Sequence, residues 1–309
     1  MTGSERLNNT ANGQETFTGR SLWQDAMLRF RRNKRAMIGL FIIIVLIVIA
    51  LVTLGVDAAT HDAFYKNYVV KQDLLNKLAK PSFSHLADIF GRDELGRSLF
   101  FRVIWGTRYS LFIGIMIVVL AILLGGTLGA VAGYFGGRVD DVIMRIVDII
   151  YAVPYTLFAI TIVSALGPSI TNLFISIAVP SLPTYARVTR AAIMSVKDKE
   201  YVEAARAVGT GNGTILLRYL IPNALSPIIV QASTGIASAI LNIAVLSFIG
   251  LGVQMPTPEW GSILTAAKTY IRDGWHLTMI PGLAIAITTI AFNMFGDGLR
   301  DALDPKLKN

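Results

Sequence analysis

No cysteine occurs among the 309 residues, so disulfides and thiol chemistry have no place in the chain. Histidine is nearly as scarce. His61, His85 and His276 are scattered without ligand spacing, which argues against a metal site. Charge is the third shortage: Asp, Glu, Lys and Arg make up 16% of the residues against 53% hydrophobic, where a soluble domain carries about 25% charged residues. A nucleotide-binding loop is also missing. Gly209-Thr210-Gly211-Asn212-Gly213-Thr214 is rich in glycine, but no lysine follows in the phosphate-loop pattern and no strand precedes it, so it reads as a turn between two short helices. Spacing supports no Ser/His/Asp arrangement. Without a soluble basic domain, the net charge of +8 does not indicate a nucleic-acid partner.

What is present instead is long apolar runs. Residues 36–55 and 109–135 carry no charge, and each is long enough for a bilayer core of ~30 Å at roughly 1.5 Å per residue. The reading is an all-α integral membrane protein with six spans at 36–55, 109–135, 146–166, 170–193, 226–252 and 277–297. β-barrel strands are excluded by run length and by the lack of apolar–polar alternation. Pro154, Pro180 and Pro183 predict kinked helices whose freed backbone groups are satisfied within a bundle. The first run is longer than the ~7–15-residue core of a signal peptide and reads as an uncleaved anchor.

Lys and Arg near the span ends set the orientation. Arg29, Arg31, Arg32, Lys34 and Arg35 precede the first span and put the N-terminus in the cytoplasm. Six crossings return the C-terminus there, in agreement with Arg300, Lys306 and Lys308. The expected organisation is a cytoplasmic tail at 1–35, a first helix at 36–55, an external region at 56–108, a five-helix core at 109–297 and a cytoplasmic tail at 298–309. Residues 1–19 are polar and expected to be disordered. The external region holds eight Lys/Arg against six acids (Asp57, Asp62, Asp73, Asp88, Asp93, Glu94), an exception tolerated because long loops obey the charge rule poorly. Asn8-Asn9-Thr10 and Asn212-Gly213-Thr214 match a glycosylation acceptor but fall on the cytoplasmic side.

Within the spans, Gly125-Gly126, Gly129, Gly133 and Gly136-Gly137 are expected to permit close helix–helix contact. Asp148 has Arg145 one turn earlier and is expected to form a local pair with it, with a role in a gate as the alternative. Arg187 and Arg190 are expected to snorkel to cytoplasmic headgroups, with contact to a soluble partner as the alternative. Gln231, Ser233, Thr234, Ser238 and Asn242 are polar residues of the fifth span, readable as lining a pathway or as interhelical hydrogen-bonding groups.

The cytoplasmic segment between the fourth and fifth spans carries an unusual concentration of charge. Lys199 to Val208 is a good helix sequence that Gly209 can end in the left-handed conformation. Ile215 to Ile221 reads as a second short helix stopped by Pro222. Ala204-Ala205 lets another surface approach the backbone, while Glu203 and Arg206 offer charges. A membrane-surface connector and a docking surface are both open on composition alone.

Glu203-Ala204-Ala205-x-x-x-Gly209, closed by Ile221-Pro222, resembles the cytoplasmic EAA loop of ABC-importer permeases. The family's usual Ile-x-Leu-Pro ending is here Tyr219-x-Ile221-Pro222, a mild departure since both stay apolar. Further matches are Gly91-Arg92-Asp93-Glu94-Leu95-Gly96-Arg97-Ser98, Ala132-Gly133-Tyr134-Phe135-Gly136-Gly137, Leu246-Ser247-Phe248-Ile249-Gly250-Leu251-Gly252, Pro258-Glu259-Trp260-Gly261 and the run from Phe292-Asn293 to Pro305. Together, over about residues 20–309, they are similar to the C-type permease of dipeptide/oligopeptide importers, with nickel importers as close relatives.

The resemblance implies a type I importer permease fold in a bacterial or archaeal cytoplasmic membrane. It also implies a homologous second permease, two ATPase subunits carrying ATP and Mg²⁺, and an extracytoplasmic solute-binding protein. The loop at 197–222 would dock an ATPase through Glu203, Ala204, Ala205, Arg206, Gly209 and Pro222, and the chain itself would bind no cofactor and catalyse no reaction. The alternatives are the same machine carrying nickel, for which the spans offer few ligands, and a channel or carrier without ATPases, which would need mid-membrane ionisable relays.

Overall fold

A computed structural model describes residues 22–303 apart from residue 273. The expectations for residues 1–21 and for Asp304, Pro305, Lys306 and Lys308 lie outside the described residues. Among the described residues the only regular elements are helices, with one isolated bridge between Arg92 and Ser98.

Helix α1 (Leu22–Arg32) leads into α2 (Lys34–Ala59), whose cap residue Asn33 accepts a hydrogen bond from Ala36 N at 3.2 Å. Next comes α3 (Leu99–Ala121), capped by the Ser98 hydroxyl, which accepts from Phe101 N. A wide turn at Ile122–Gly126 joins α3 to α4 (Thr127–Phe135), giving a single 37-residue rod. There follow α5 (Gly137–Ala152), α6 (Tyr155–Leu166), α7 (Ile170–Val196), α8 (Glu200–Ala207), α9 (Asn212–Thr214), α10 (Ile221–Asn223), α11 (Leu225–Phe248), α12 (Trp260–Ala267) and α13 (Trp275–Leu303). Among the described residues four helices are long and apolar enough to cross a membrane: α2, α3–α4, α11 and α13.

Two expected spans differ from a simple rod. The third is broken: α5 and α6 meet at 87° across Val153-Pro154, because a residue before proline resists the helical conformation and Pro154 has no N–H to continue the ladder. The fourth, α7, has 27 residues with Pro180 and Pro183 inside it, and its Ser, Thr, Tyr and Arg content makes it less apolar than the others.

Close packing organises the bundle. Gly125, Gly129 and Gly133 recur every fourth residue along one face of the α3–α4 rod and rest on the backbone of α7. A Cβ at Gly125 would lie 2.5 Å from the Leu182 carbonyl oxygen, one at Gly129 would overlap the Ala186 carbonyl, and one at Gly133 would lie 2.8 Å from the Arg190 carbonyl oxygen. The matching spacing of Leu182, Ala186 and Arg190 fits ridges of one helix to the groove of the other. Gly136-Gly137 does not share this role. Both have positive φ (64° and 51°) and open space around them, so they form the corner between α4 and α5. A second close contact joins α2 to α13, where Gly39 faces the Ala291 carbonyl and Gly298 faces Ala36.

The segment between α2 and α3 is held by ion pairs. Asp93 accepts from Leu95 N and Arg97 N, both at 2.9 Å, and from Arg97 Nε at 2.6 Å. Arg102 lies 3.3 Å from the same carboxylate. Arg92 pairs with Asp88 and Asp73, and Arg108 with Asp57. All four arginines of residues 56–108 thus have an acidic partner nearby. The Asn76 amide and the nearby Arg92 guanidinium hold the Asp73 carboxyl below its usual range.

The glycine stripe yields a stability prediction. Gly129→Val, which must push two helix backbones apart, should cost at least about 1–3 kcal/mol and lower the thermal unfolding midpoint of the purified protein. Gly213→Ala, where a Cβ meets open space, should leave the midpoint within error. Equal midpoints for the two variants would contradict the packing role.

Candidate functional site

The loop between α7 and α11 is a folded unit. α8 ends where Gly209 takes φ 78°; Gly209 N donates to the Arg206 carbonyl and Thr210 N to that of Ala205, both at 3.0 Å. The glycine-rich stretch is therefore a turn, as its sequence indicates. α8 has two faces. Val202 and Ala205 are buried with Ile193, Ile215 and Leu220, whereas Glu203, Ala204 and Arg206 are exposed and Val208 is 81% exposed. The two alanines thus do different work: Ala205 fits the helix onto the bundle, and only Ala204 is left bare toward solvent.

Pro222 does not stop the second helix. It lies in the first turn of α10, after a wide turn at Ile215–Leu220, where its missing N–H is least costly. The helical path continues to Asn223, and Ala224 alone separates it from α11. Tyr134, at the end of α4, fixes the loop from below. Its hydroxyl donates to Asn212 Oδ1 at 2.8 Å, and the Arg206 guanidinium carbon lies 5.8 Å from its ring centroid. Reasoning from spacing gave Tyr134 no such role, because the partner is 78 residues away.

The arginines in the second half of α7 are paired. Arg187 donates to Asp148 at 2.8 Å and stacks over Tyr151, while Arg190 Nε donates to Asp140 at 2.6 Å. Asp148 therefore bonds across to α7 and not to Arg145 within its own helix, and the two arginines clamp α5 to α7.

Of Gln231, Ser233, Thr234, Ser238 and Asn242 on α11, three share one cavity. Gln231, Ser238 and Asn242 line a space of about 230 Å³ together with Tyr155, Ser181, Thr184 and Tyr185. Ser233 and Thr234 lie elsewhere, against Gly296 of α13. Their hydroxyls donate to carbonyls of α11, so they are interhelical packing residues. Tyr155 donates to the Ile177 carbonyl at 3.2 Å, and Ser181 donates to the same oxygen at 2.8 Å. Ser181, Thr184 and Tyr185 could have been found from their helical spacing, which puts hydroxyls on one face of an otherwise apolar helix.

A buried acid sits apart from this cavity. Glu259, 2% exposed, caps α12 by accepting from Gly261 N and Ser262 N at 2.8 Å, and also accepts from Ser110 and Ser247. Burial pushes its carboxyl up despite these donors. Among the described residues no group of three or more His, Asp or Glu side chains is arranged to hold a metal.

A helical bundle with four helices long and apolar enough to cross a membrane, a polar cavity and an exposed helix between them is an arrangement that a membrane permease can use, and comparison with known proteins gives the class. Residues 125–309 match the binding-protein-dependent transport system inner membrane component, and residues 21–81 match the N-terminal transmembrane domain of oligopeptide transport permease C. The chain is 40% identical to the dipeptide transport system permease protein DppC of Alkalihalophilus pseudofirmus, over 96% of this chain and 94% of that one. It is 41% identical to the di/tripeptide permease DppC of Pseudomonas aeruginosa, over 94% and 93%. It is likewise 41% identical to the glutathione permease GsiD of Pectobacterium atrosepticum, over 94% and 93%. A solved inward-facing MetNI methionine ABC transporter shares the fold with a TM-score of 0.55 at 16% identity, covering 67% of this chain and 98% of that one. The chain belongs to the inner-membrane permeases of ABC importers, in the dipeptide/oligopeptide family. Such permeases are non-catalytic membrane subunits.

Tyr134→Phe removes the bond to Asn212 and should destabilise the loop by ~1 kcal/mol. Faster amide hydrogen exchange confined to residues 200–223 would report this. Unchanged exchange there would show that the hydroxyl does not anchor the loop.

Proposed function

We propose that the chain is one permease half of an ATP-driven importer of di- and oligopeptides, and that separate ATPase subunits drive it through residues 197–222. It would cross the bacterial inner membrane six times with both termini in the cytoplasm, the broken α5–α6 pair and α7 supplying the third and fourth crossings. A homologous permease would complete the path, and an extracytoplasmic binding protein would deliver the cargo. ATP and Mg²⁺ would act on the ATPase subunits, with no cofactor on this chain.

The observation that carries this reading is α8. A membrane permease with no nucleotide-binding pattern of its own presents Glu203, Ala204, Arg206 and Val208 on a short helix capped at Gly209, a surface on which a soluble motor can act. The peptide assignment is supported by relatives named for dipeptide, di/tripeptide and glutathione transport. Cavity chemistry agrees with it: hydroxyl and amide groups can exchange hydrogen bonds with peptide backbone whatever the cargo's side chains, whereas a nickel route would call for imidazole or carboxylate ligands.

Gly209→Pro, which cannot adopt positive φ, and Glu203→Lys should each abolish ATP-dependent peptide uptake by the reconstituted transporter and reduce ATPase co-purification. Membrane insertion should be unchanged. Wild-type uptake by both variants would contradict the docking role, and uptake by the purified chain alone would contradict the permease-half reading.

A further inference from the structure

A second cavity, of about 300 Å³, lies toward the α7–α11 loop and is bounded by Val188, Ser226, Pro227, Val230, Arg300 and Leu303. It shares one residue with the cavity of Ser238 and Asn242: Gln231 lines both. We infer that Gln231 is the cytoplasmic gate of this subunit's half of the path, an inference that rests on reading these cavities as part of that path.

Helix geometry makes the two cavities one interrupted groove. Gln231, Gly235, Ser238 and Asn242 recur at intervals of four, three and four and so share a face of α11. Ser181, Thr184, Tyr185 and Val188 do the same on α7. The pairing of Tyr185 with Gly235, and of Val188 with Gln231, makes the helices antiparallel. The groove therefore runs along the chain's surface from Ser181 and Asn242, farther from the loop, past the exposed Thr184 and Ser238 to Val188 and Ser226 near the loop. At Gly235 the Tyr185 hydroxyl occupies the place where any Cβ would stand, which narrows the groove from the α7 side. Gln231 lies one turn beyond that narrowing.

The chemistry of Gln231 suits a gate. Its side-chain amide is half-buried and makes no hydrogen bond to any described residue, so swinging it aside breaks no existing bond. An uncharged amide can also donate to and accept from a passing peptide unit, and it adds no charge to the desolvation cost of a mid-membrane path.

The cysteine-free sequence makes the test direct. Single-cysteine variants of the reconstituted transporter in inside-out vesicles are treated, without ATP, with a membrane-impermeant maleimide, and labelling is scored on this chain. Ser226→Cys should react quickly. Ser238→Cys should react slowly while Gln231 is present and several-fold faster when Gln231→Ala is added. If the alanine variant does not assemble, Gln231→Asn should give an intermediate rate. Gln231→Trp should lower peptide uptake several-fold with the amount of assembled transporter unchanged. Equal Ser238→Cys rates with and without the Gln231 change would overturn the gate and leave the path intact. Unreactive Ser238→Cys and Asn242→Cys from both faces, with and without ATP, would overturn the path and the gate together.

Discussion

The rest of the structure depends on the approach of two backbones: the glycine face of α3–α4 against the carbonyls of Leu182, Ala186 and Arg190. In lipid no hydrophobic force draws apolar helices together, so association rests on close packing and interhelical polar contacts. Three glycines one turn apart supply the packing, and the polar contacts follow from it. Arg190 can reach Asp140, and Arg187 can reach Asp148, only because α7 is held near the corner at Gly136-Gly137 from which α5 departs. The cavity depends on the same contact, since Ser181, Thr184 and Tyr185 form its α7 wall.

Among the described residues the buried charges are mostly paired: Asp57, Asp93, Arg97 and Arg102 each have an ion partner. Asp93 with Arg97 and Arg102, Asp57 with Arg108, and Arg190 with Asp140 gather at the two ends of the helices, leaving the cavity lined by uncharged groups. Removing one member of a buried pair such as Asp93 and Arg97 strands the other at a cost of several kcal/mol, roughly 3–5 in soluble proteins. Among the buried acids of the described residues, Glu259 differs in having no cation. Two backbone amides and two hydroxyls surround it instead, tying α3, α11 and α12 together through one carboxyl group.

Local pattern made much of this legible in the sequence. Run length identified the apolar helices, four-residue spacing identified Gly125, Gly129 and Gly133 as packing residues, and Gly209 marked a turn. Misreadings arose where a distant residue competes with a near one. Arg145 is one turn from Asp148, yet Arg187, 39 residues away, takes the carboxylate because packing brings it across. The Ala204-Ala205 pair read as one bare patch, but the helical repeat turns Ala205 inward. Ser233 and Thr234 looked equivalent to Gln231 until α13 was in place to cover them at Gly296. Pro222 read as a terminator, because the wide turn that accommodates it has no signature in the residues themselves. Gly39 and Gly298 escaped notice for a related reason: each is a single glycine in its helix contact, and only the partner helix reveals its use.

The connections around α8 bear on how motion would travel in the proposed machine. Val202 and Ala205 are packed with Ile193, in the last turns of α7, and with Ile215 and Leu220 of the following segment. That segment meets α11 across Ala224 alone, whose N–H still donates to the Leu220 carbonyl at 2.9 Å. A displacement of α8 would therefore reach the loop-side ends of α7 and α11 together. These two helices carry the facing walls of the groove, and their antiparallel course puts Val188 and Gln231 nearest the point of loading. The glycine contact at Gly133 and Arg190 holds α7 to α4 at almost the same level, so α4 resists the movement of one wall more than the other. Opening would then begin between α7 and α11 near Gln231, where only side chains cross the gap, and not along the α4–α7 seam, where backbone meets backbone.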